Sequence, residues 1–378
     1  MSFDKTRGDI SREGAVTSLA EKGEKGAALL EVEGLSVRLR SGPTVNQAVI
    51  DASFSVPAAA RVGMVGESGS GKSVSALSVL RLHDPRLVEY GPGSHIFFEG
   101  KDLLGLPLQD VRALRGAQIS MVFQDPASAL NPVMRIGHQI EQVIRTHRDV
   151  TRQEAQRETL ESLGMVHLPE PERAAASYPH QLSGGMLQRS LVAMAIACRP
   201  RLLIADEPTS ALDVTVQAGV LSTFVELSEA LRMSLLLITH DMAVISRCCD
   251  TVYVMYGGRV VEGGPTAAVL NHPRHPYTQL LLRCQPSVEG AIPRRLPTIG
   301  GLQGSRGLGS DLSGCSFVER CPWRAEACSH TPPLAPVAEE PAVTVACHRW
   351  REIESGGRQT SLQIGPARLA PLDKEAPL

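Results

Sequence analysis

The feature that most restricts the fold is a glycine-rich segment that directly follows a short apolar run at residues 62–65. The segment fits the pattern G-x-x-x-x-G-K-[ST] and consists of Gly66, Glu67, Ser68, Gly69, Ser70, Gly71, Lys72 and Ser73. In that pattern, backbone N–H groups and the start of the next helix bind phosphate, the lysine reaches the β and γ phosphates, and the Ser73 hydroxyl can ligate Mg²⁺. The order of strand, loop and helix therefore predicts a phosphate-binding loop rather than a chance glycine-rich turn.

The apolar pattern around this loop predicts an α/β fold. Apolar and polar residues alternate at 35–39 and 50–56, as in half-buried strands of an antiparallel layer. The runs 119–123, 202–205 and 235–239 have the length and composition of buried strands in a parallel sheet. A helix between the last two runs is predicted from the spacing of Val220, Leu221, Phe224, Leu227 and Leu231. In such folds ligands bind at the carboxyl ends of the strands.

Two carboxylates, Asp206 and Glu207, emerge side by side from the predicted strand 202–205. Phosphoryl transfer to water needs a metal ion and a group that polarises the attacking water. Asp206 suits contact with the metal and Glu207 suits the water. A solvated pair without a role would be the better interpretation if the two stood alone, but Lys72 on the same chain favours hydrolysis.

Composition restricts the class of protein only weakly. The formal net charge is -2 and 43% of the residues are hydrophobic, so no overall basic excess is present to bind nucleic acid or anionic lipid. No run approaches the about 18 consecutive apolar residues of a membrane-spanning helix. Residues 1–28 are polar, lack the apolar core of a signal peptide and are expected to form a flexible leader. The chain is therefore expected to stay in the cytosol.

Four further motifs follow along the chain. Residues 182–188, Leu-Ser-Gly-Gly-Met-Leu-Gln, resemble the signature motif of ATP-binding cassette (ABC) ATPases, and Gln124 resembles the glutamine of their Q-loop. Residues 210–213, Ser-Ala-Leu-Asp, resemble their D-loop, and His240 resembles their switch histidine. Each motif alone has a plain structural interpretation, such as a helix start or a strand-end histidine. Together with the phosphate loop, they make the chain resemble an ATP-hydrolysing subunit of a membrane ABC transporter.

The resemblance implies a P-loop NTPase fold of the ABC ATPase type, with a parallel-sheet core, an antiparallel β layer, an inserted helical subdomain and a small cysteine-rich C-terminal domain. It also implies that two subunits pack head to tail around ATP and Mg²⁺. The residues expected to complete the companion's ATP site are Ser183, Gly184, Gly185 and Asp213. Those expected to contact Mg²⁺ are Ser73, Gln124 and Asp206, and those expected to act in catalysis are Glu207, His240 and Gln124.

Three stretches, 119–132, 178–181 and 275–278, resemble the ATPases of peptide and nickel importers, and the similarity runs over roughly residues 29–350. The implied divisions are a leader at 1–28, a nucleotide-binding domain at 29–272, its helical subdomain at about 111–179, a C-terminal domain at 273–354 and a polar tail at 355–378.

The same resemblance implies partners. They are a companion ATPase, two transmembrane permease subunits and an extracytoplasmic solute-binding protein, with the chain bound peripherally at the cytoplasmic face of the plasma (inner) membrane. Met186 stands where the companion ATPase tends to have Gln, which favours a companion that is a different chain. Two positions depart from the family pattern: Leu39 replaces the aromatic residue that usually stacks on adenine, and Leu187 replaces a basic residue.

Four of the eight cysteines cluster late in the chain, at Cys315, Cys321, Cys328 and Cys347, with five, six and eighteen residues between them. Four thiolates suit either a [4Fe-4S] cluster or a zinc ion. The spacing contains none of the usual C-x₂-C pairs, so unligated thiols stay an alternative. Importer ATPases with such a tail resemble proteins that hold a [4Fe-4S] cluster, which favours iron–sulfur over zinc.

Two other functions remain alternatives. A soluble ABC protein acting on nucleic acid or ribosomes usually fuses two ATPase units or adds coiled coils or basic arms, whereas this chain has one phosphate-loop motif and no basic block. An exporter half would need membrane helices of its own or a partner permease. Neither alternative accounts for the importer-like stretches.

Overall fold

The computed structural model of the protein describes residues 28–210, 212–284 and 313–356. The strands in these ranges are β1 Ala28–Ser41, β2 Thr44–Pro57, β3 Arg61–Val65, β4 Val88–Tyr90, β5 His95–Phe98, β6 Lys101–Asp102, β7 Ile119–Val122, β8 Leu202–Asp206, β9 Ser234–Thr239, β10 Thr251–Tyr256, β11 Arg259–Pro265, β12 Ala335–Val337 and β13 Glu340–Val345. The helices are α1 Lys72–Val79, α2 Leu108–Leu114, α3 Pro126–Ala129, α4 Ile136–His147, α5 Arg152–Met165, α6 Pro171–Ala176, α7 Gly184–Ile196, α8 Val214–Ala230, α9 Met242–Cys248, α10 Thr266–Asn271, α11 Pro276–Arg283 and α12 Trp350–Gly356. Short 3-10 helices lie at Pro179–Gln181 and Glu326–Ser329.

Parts of the predicted organisation lie outside the described residues. They are the leader apart from Ala28, the stretch 285–312 of the C-terminal domain, Ala211 of the D-loop and the tail apart from residues 355–356, which end α12. The predicted domain boundaries stay predictions.

The core of the protein is an eight-stranded sheet in the order β12-β13-β11-β10-β3-β9-β8-β7. Strands β10, β3, β9, β8 and β7 run parallel, and every residue of β7, β8 and β9 is buried. Burial on both faces is what the continuous apolar runs predicted, because helices cover both sides of such a sheet. The predicted α/β fold with a parallel-sheet core is confirmed.

The predicted antiparallel layer is a second sheet, in the order β2-β1-β5-β6 with β4 also paired to β1. Its apolar alternation changes phase at Asp51, which adopts a left-handed backbone with φ 50°. The register between β1 and β2 shifts there, so Val49 is fully buried while Ile50 is only partly buried. A bulge of one extra residue explains why the strict alternation expected over 50–56 begins one residue out of phase.

Helices α3 to α7 lie between β7 and β8 in the chain and pack together in one apolar cluster. On α4, Ile136, Ile140 and Ile144 recur at every fourth residue and are at most 1% exposed, which gives the helix one apolar face. Helix α5 begins at a capping box in which Thr151 and Glu154 each bond the other's backbone N–H. The predicted helical subdomain at about 111–179 includes β7, but β7 pairs with β8 in the parallel sheet.

The C-terminal residues extend the main sheet instead of forming a separate layer. Strand β13 pairs with β11, and β12 pairs with β13. Beside this junction the side chain of Glu262 is fully buried and accepts hydrogen bonds from the backbone N–H groups of Arg274 at 2.7 Å and His275 at 3.1 Å. The carboxyl group thereby connects β11 to the segment that leads into α11.

Across the described ranges, every helix is too short or too polar to pass through a lipid bilayer.

The burial of Glu262 predicts a pH-dependent contribution to stability. Burial raises the pKa of Glu262 from 4.5 to about 7, and the two backbone N–H donors offset only part of that effect. The contribution of Glu262 to the free energy of unfolding is fully present below the pKa of 4.5 in the unfolded chain. It is lost as the pH rises through about 7, by on the order of 3 kcal/mol. Burial lowers the pKa of neighbouring His275 from 6.5 to about 3, so the contribution of His275 to stability increases as the pH rises toward 6.5.

We therefore expect Glu262→Gln to gain stability relative to the unmodified protein as the pH rises from about 5 to about 8. Urea unfolding at several pH values measures this difference. The pH dependence that His275 contributes is common to both proteins and therefore cancels. Glu31→Gln, at an exposed position on β1, is the matched control. A stability difference that stays constant over the range would contradict the prediction.

Candidate functional site

The predicted phosphate loop runs from the end of β3 to the start of α1, and two of its glycines are required by neighbouring backbone. A Cβ on Gly66 would lie 2.2 Å from the carbonyl oxygen of Met255. Gly71 has φ 103°, and a Cβ there would lie 2.7 Å from the carbonyl oxygen of Ala48. Because both obstacles are backbone atoms of adjacent strands, side-chain movement cannot relieve them. The loop therefore packs directly against the sheets that flank it.

Lys72 is 4% exposed, and its ammonium group lies within the loop. It donates hydrogen bonds to the carbonyl oxygens of Gly66 at 2.8 Å and Glu67 at 3.0 Å. Burial lowers the pKa of Lys72, and the carboxylates of Glu207 and Asp206 act in the opposite direction. The loop's own carbonyl groups thus solvate a charge that is positioned to bind an anion.

Asp206, the last residue of β8, lies against the start of α1. Its Oδ1 accepts a hydrogen bond from the Ser73 hydroxyl at 3.0 Å. Burial raises the pKa of Asp206, and the Ser73 hydrogen bond opposes this effect. A carboxylate and a hydroxyl side by side at a phosphate loop are the hard oxygen ligands that Mg²⁺ prefers. Two of the three residues predicted to contact Mg²⁺, Ser73 and Asp206, are therefore adjacent and have suitable ligand atoms, and the third, Gln124, contacts Glu207.

Two of the predicted catalytic residues, Gln124 and His240, contact the carboxylate of the third, Glu207. Glu207 leaves β8 with φ 44°, and its backbone N–H donates to the Ile238 carbonyl of β9 at 2.9 Å. Its Oε2 accepts a hydrogen bond from Nε2 of Gln124 at 3.4 Å and lies 3.5 Å from Nδ1 of His240. Gln124 follows β7 and His240 follows β9, so the ends of three parallel strands supply the group.

The signature and D-loop residues form a second cluster. Ser183 caps the N-terminus of α7, and Asp213 caps α8 by accepting from the backbone N–H of Val216 at 3.0 Å. A Cβ on Gly185 would lie 2.6 Å from a methyl carbon of Val216, so these two helix starts are in contact. Within the described ranges, no hydrogen bond or ion pair joins Ser183, Gly184, Gly185 or Asp213 to the phosphate loop.

Two side chains from the C-terminal part of the chain reach the phosphate loop, and sequence reasoning assigned neither of them to the site. The Tyr277 hydroxyl accepts from the backbone N–H of Glu67 at 2.8 Å, and the Arg320 guanidinium contacts both carboxylate oxygens of Glu67. They lie 210 and 253 residues from Glu67 along the chain. No local spacing pattern could indicate contacts over such separations.

The four late cysteines all have free thiols and line one small cavity. Burial raises the pKa of Cys315, Cys321 and Cys347, and neighbouring cysteines add to the effect. Among the described residues, however, no three His, Cys, Asp or Glu side chains are arranged to hold a metal ion. The predicted iron–sulfur or zinc ligand set is therefore not assembled in the structure, although its four members share one cavity.

The two departures from the family pattern are both at packed positions. Leu39 lies on β1 between Asn46 of β2 and Val88 of β4 and packs against the core beneath the antiparallel sheet. Leu187 lies in the first turn of α7 and packs against the helical cluster. Apolar contacts thus account for both leucines.

Comparisons with known proteins agree with these motifs. A family model described as "ABC transporter" matches residues 49–210, and one described as "Oligopeptide/dipeptide transporter, C-terminal region" matches residues 261–328. A Sinorhizobium fredii protein, named provisionally as a peptide ABC transporter ATP-binding protein, is 41% identical over 87% of this chain and 97% of its own length. A Brucella ovis protein, named provisionally as a peptide import ATP-binding protein, is 43% identical over 86% of this chain and 98% of its own length.

Solved structures show the same fold at lower identity. The ATP-binding cassette MJ0796, in a dimeric post-hydrolysis state bound to ADP and phosphate, matches with a TM-score of 0.56 and 24% identity over 63% of this chain and 98% of its own. The cbiO1 protein from Clostridium perfringens, part of an ABC transporter complex, matches with a TM-score of 0.55 and 23% identity over 65% of this chain and 91% of its own.

The close approach at Gly66 predicts a graded effect of alanine substitutions in the loop. Gly66→Ala would place a methyl group against rigid backbone and should lower the free energy of unfolding by about 3 kcal/mol. Gly69 also has a left-handed backbone, with φ 80°, but open space surrounds its Cβ position. Gly69→Ala should therefore cost only about 1 kcal/mol. Urea unfolding of both variants measures the two values, and equal losses would contradict the packing argument.

Proposed function

Since this chain belongs to the family of ABC transporter ATP-binding proteins, an assignment carried by relatives 41% and 43% identical over nearly their whole length, we propose that it hydrolyses ATP to power peptide import. It would act as the nucleotide-binding subunit of a membrane transporter. The observation that carries the proposal is the meeting of Gln124, Glu207 and His240 next to the buried ammonium of Lys72.

The residues divide the work of phosphoryl transfer in a simple way. The backbone N–H groups of the phosphate loop bind the phosphates, and Lys72 exchanges the carbonyl oxygens of its own loop for phosphate oxygens. Glu207 accepts a hydrogen bond from the attacking water and orients it toward the γ phosphate. Gln124 and His240, both next to Oε2 of Glu207, hold that carboxylate in place.

The metal-binding proposal assigns Ser73, Asp206 and Gln124 to Mg²⁺. The Ser73 hydroxyl and the Asp206 carboxylate are already in contact, and Gln124 faces the neighbouring Glu207. Bound Mg²⁺ would neutralise charge on the phosphates as they separate. Burial of Asp206 favours occupancy of this position by a cation, because an uncompensated carboxylate is costly there.

A companion ATPase would complete the site. Ser183 and Gly184 are exposed at the start of α7, where backbone N–H groups and the helix dipole favour an anion. Among the described residues, no hydrogen bond or ion pair joins them to the phosphate loop of their own chain, so the start of α7 is available to the nucleotide of a partner. The dimeric cassette with the same fold supports a head-to-tail pair, and Met186 supports a companion that is a different chain.

The proposed membrane partners are two permease subunits, supplied with solute by an extracytoplasmic binding protein. The names of the relatives and the match to an oligopeptide transporter region support peptide import. Val133, at 78% exposure, and Phe123, at 40%, present apolar surface where the chain leaves β7 for the helices. Exposed apolar side chains at this point of the fold are compatible with permease docking at the cytoplasmic face of the membrane.

The metal-binding role of the late cysteines stays a proposal, with a [4Fe-4S] cluster preferred to zinc. Their shared cavity supports it, because four thiolates are a sufficient ligand set for either. No step of the hydrolytic mechanism depends on it.

Anaerobic purification should give a brown protein that contains iron and sulfide if the cluster forms. Cys321→Ser should lose most of the bound metal, whereas Cys198→Ser, on a cysteine outside the cavity, should keep it. Elemental analysis and the visible spectrum measure both. A colourless, metal-free protein would exclude the cluster.

Removal of the Glu207 charge tests the proposed hydrolysis. Glu207→Gln should bind ATP with nearly unchanged affinity and lose turnover by about two to four orders of magnitude, because the amide cannot polarise the water. It should also accumulate as an ATP-bound dimer with the companion ATPase. Phosphate release and size-exclusion chromatography give the two readouts, with Glu161→Gln on the exposed face of α5 as the control. Normal turnover in Glu207→Gln would refute the assignment.

A further inference from the structure

The contact between Arg320 and Glu67 joins the C-terminal segment to the phosphate loop. The guanidinium approaches both carboxylate oxygens, at 2.8 and 2.9 Å. The Arg320 side chain is 13% exposed and that of Glu67 is 38% exposed, so water screens the pair only in part. A two-pronged pair of this kind fixes direction as well as distance, because both groups are planar.

Tyr277 holds the same loop residue from its backbone side. Its side chain is fully buried, and its hydroxyl accepts from the Glu67 N–H at 2.8 Å. Glu67 is therefore held at its backbone by α11 and at its carboxylate by the segment that follows residue 313. The two contacts together leave the residue little freedom to rotate.

An aromatic cluster supports both contacts. The rings of Tyr256, Tyr277 and Phe317 lie with centroids 4.6 to 5.5 Å apart. The Arg320 guanidinium lies 5.6 Å from the Tyr256 ring centroid and 3.3 Å from its hydroxyl oxygen. The packed rings and the cation–π contact hold the Arg320 guanidinium in the orientation that contacts both carboxylate oxygens of Glu67.

The held residue is also one that controls the buried ammonium. The carbonyl oxygen of Glu67 accepts from Lys72 at 3.0 Å, so any displacement of Glu67 moves a group that positions the Lys72 charge. The chain of contacts thus runs from Arg320 through Glu67 to Lys72.

We propose that Arg320 and Tyr277 are positioning residues of the nucleotide site, which hold Glu67 so that the phosphate loop is preorganised for ATP. The C-terminal segment then sets nucleotide affinity, although it supplies no group to the phosphates. The proposal rests on the proposed role of the loop in binding ATP. A positioning role differs from a purely structural role in what a mutation changes. Loss of a purely structural contact would lower stability and leave the affinity for ATP unchanged.

The test measures the Kd of the full-length protein for a fluorescent ATP analogue, together with its thermal unfolding. Arg320→Ala should raise the Kd about tenfold, since a partly buried charge pair is lost. Arg320→Lys keeps the positive charge and loses the paired guanidinium–carboxylate hydrogen bonds, so its affinity should lie between those of Arg320→Ala and the unmodified protein. Tyr277→Phe removes one hydroxyl and keeps the ring packing, so it should fold and raise the Kd by about threefold.

A double-mutant cycle identifies the path of the effect. Glu67→Ala combined with Arg320→Ala should bind ATP no more weakly than the weaker single variant, because both changes break one contact. The matched control is Arg349→Ala: Arg349 lies in the same C-terminal segment and donates to the Trp323 carbonyl at 3.0 Å, without contact to the loop. It should lower the unfolding temperature and leave the Kd unchanged.

Two outcomes would overturn the proposal: an unchanged Kd in Arg320→Ala and Tyr277→Phe, or additive losses in the double variant. Lys72→Ala serves to separate this failure from failure of the proposed function. If Lys72→Ala binds the analogue as well as the unmodified protein does, the nucleotide site itself is wrongly placed. If it loses binding while Arg320→Ala keeps it, only the positioning role fails.

Discussion

The buried positive charge of Lys72 is the constraint on which the rest of the site depends. A desolvated ammonium is costly unless oxygen atoms surround it, and here the loop's own carbonyl groups and the nearby carboxylates provide them. To bring those carbonyl groups to one point, the loop must pass so close to adjacent strands that residue 66 has no room for a side chain. The glycines and the close packing on the sheet thus serve to surround the buried ammonium of Lys72 with oxygen atoms. A phosphate anion, which is charged, compensates this ammonium better than the neutral carbonyl groups of the loop do.

The parallel sheet makes the catalytic group from residues that are distant in sequence. Gln124 and Glu207 are 83 residues apart, and Ser73 and Asp206 are 133 apart, yet each pair is in hydrogen-bonding contact. Adjacent parallel strands end at one edge, so residues that follow them are brought together whatever lies between. The long helical insertion between β7 and β8 in the chain therefore does not keep the ends of these strands apart.

Much of this could be predicted from sequence, because the decisive signals are local. The loop pattern, the buried strands and the strand-end carboxylates each occupy a few consecutive residues, and the edge rule for parallel strands brings them together. What could not be predicted depends on long-range packing. The bulge at Asp51 moved Val49 into the core, and the contacts of Tyr277 and Arg320 with Glu67 bridge more than two hundred residues. The cysteines were found by composition, but their spacing could not determine whether the folded chain completes a ligand set.

The last two strands of the described residues, β12 and β13, determine which strand forms one edge of the main sheet. Without β13, the seven residues of β11 would be the border of the main sheet and would offer unpaired backbone groups to any neighbouring molecule. The outermost strand in the described ranges is instead β12, which has three residues with Pro336 at its centre. Proline has no amide proton to donate, and a strand this short is a poor template for further pairing. The C-terminal segment that holds Glu67 thus also replaces a seven-residue edge strand with a short edge strand that contains proline.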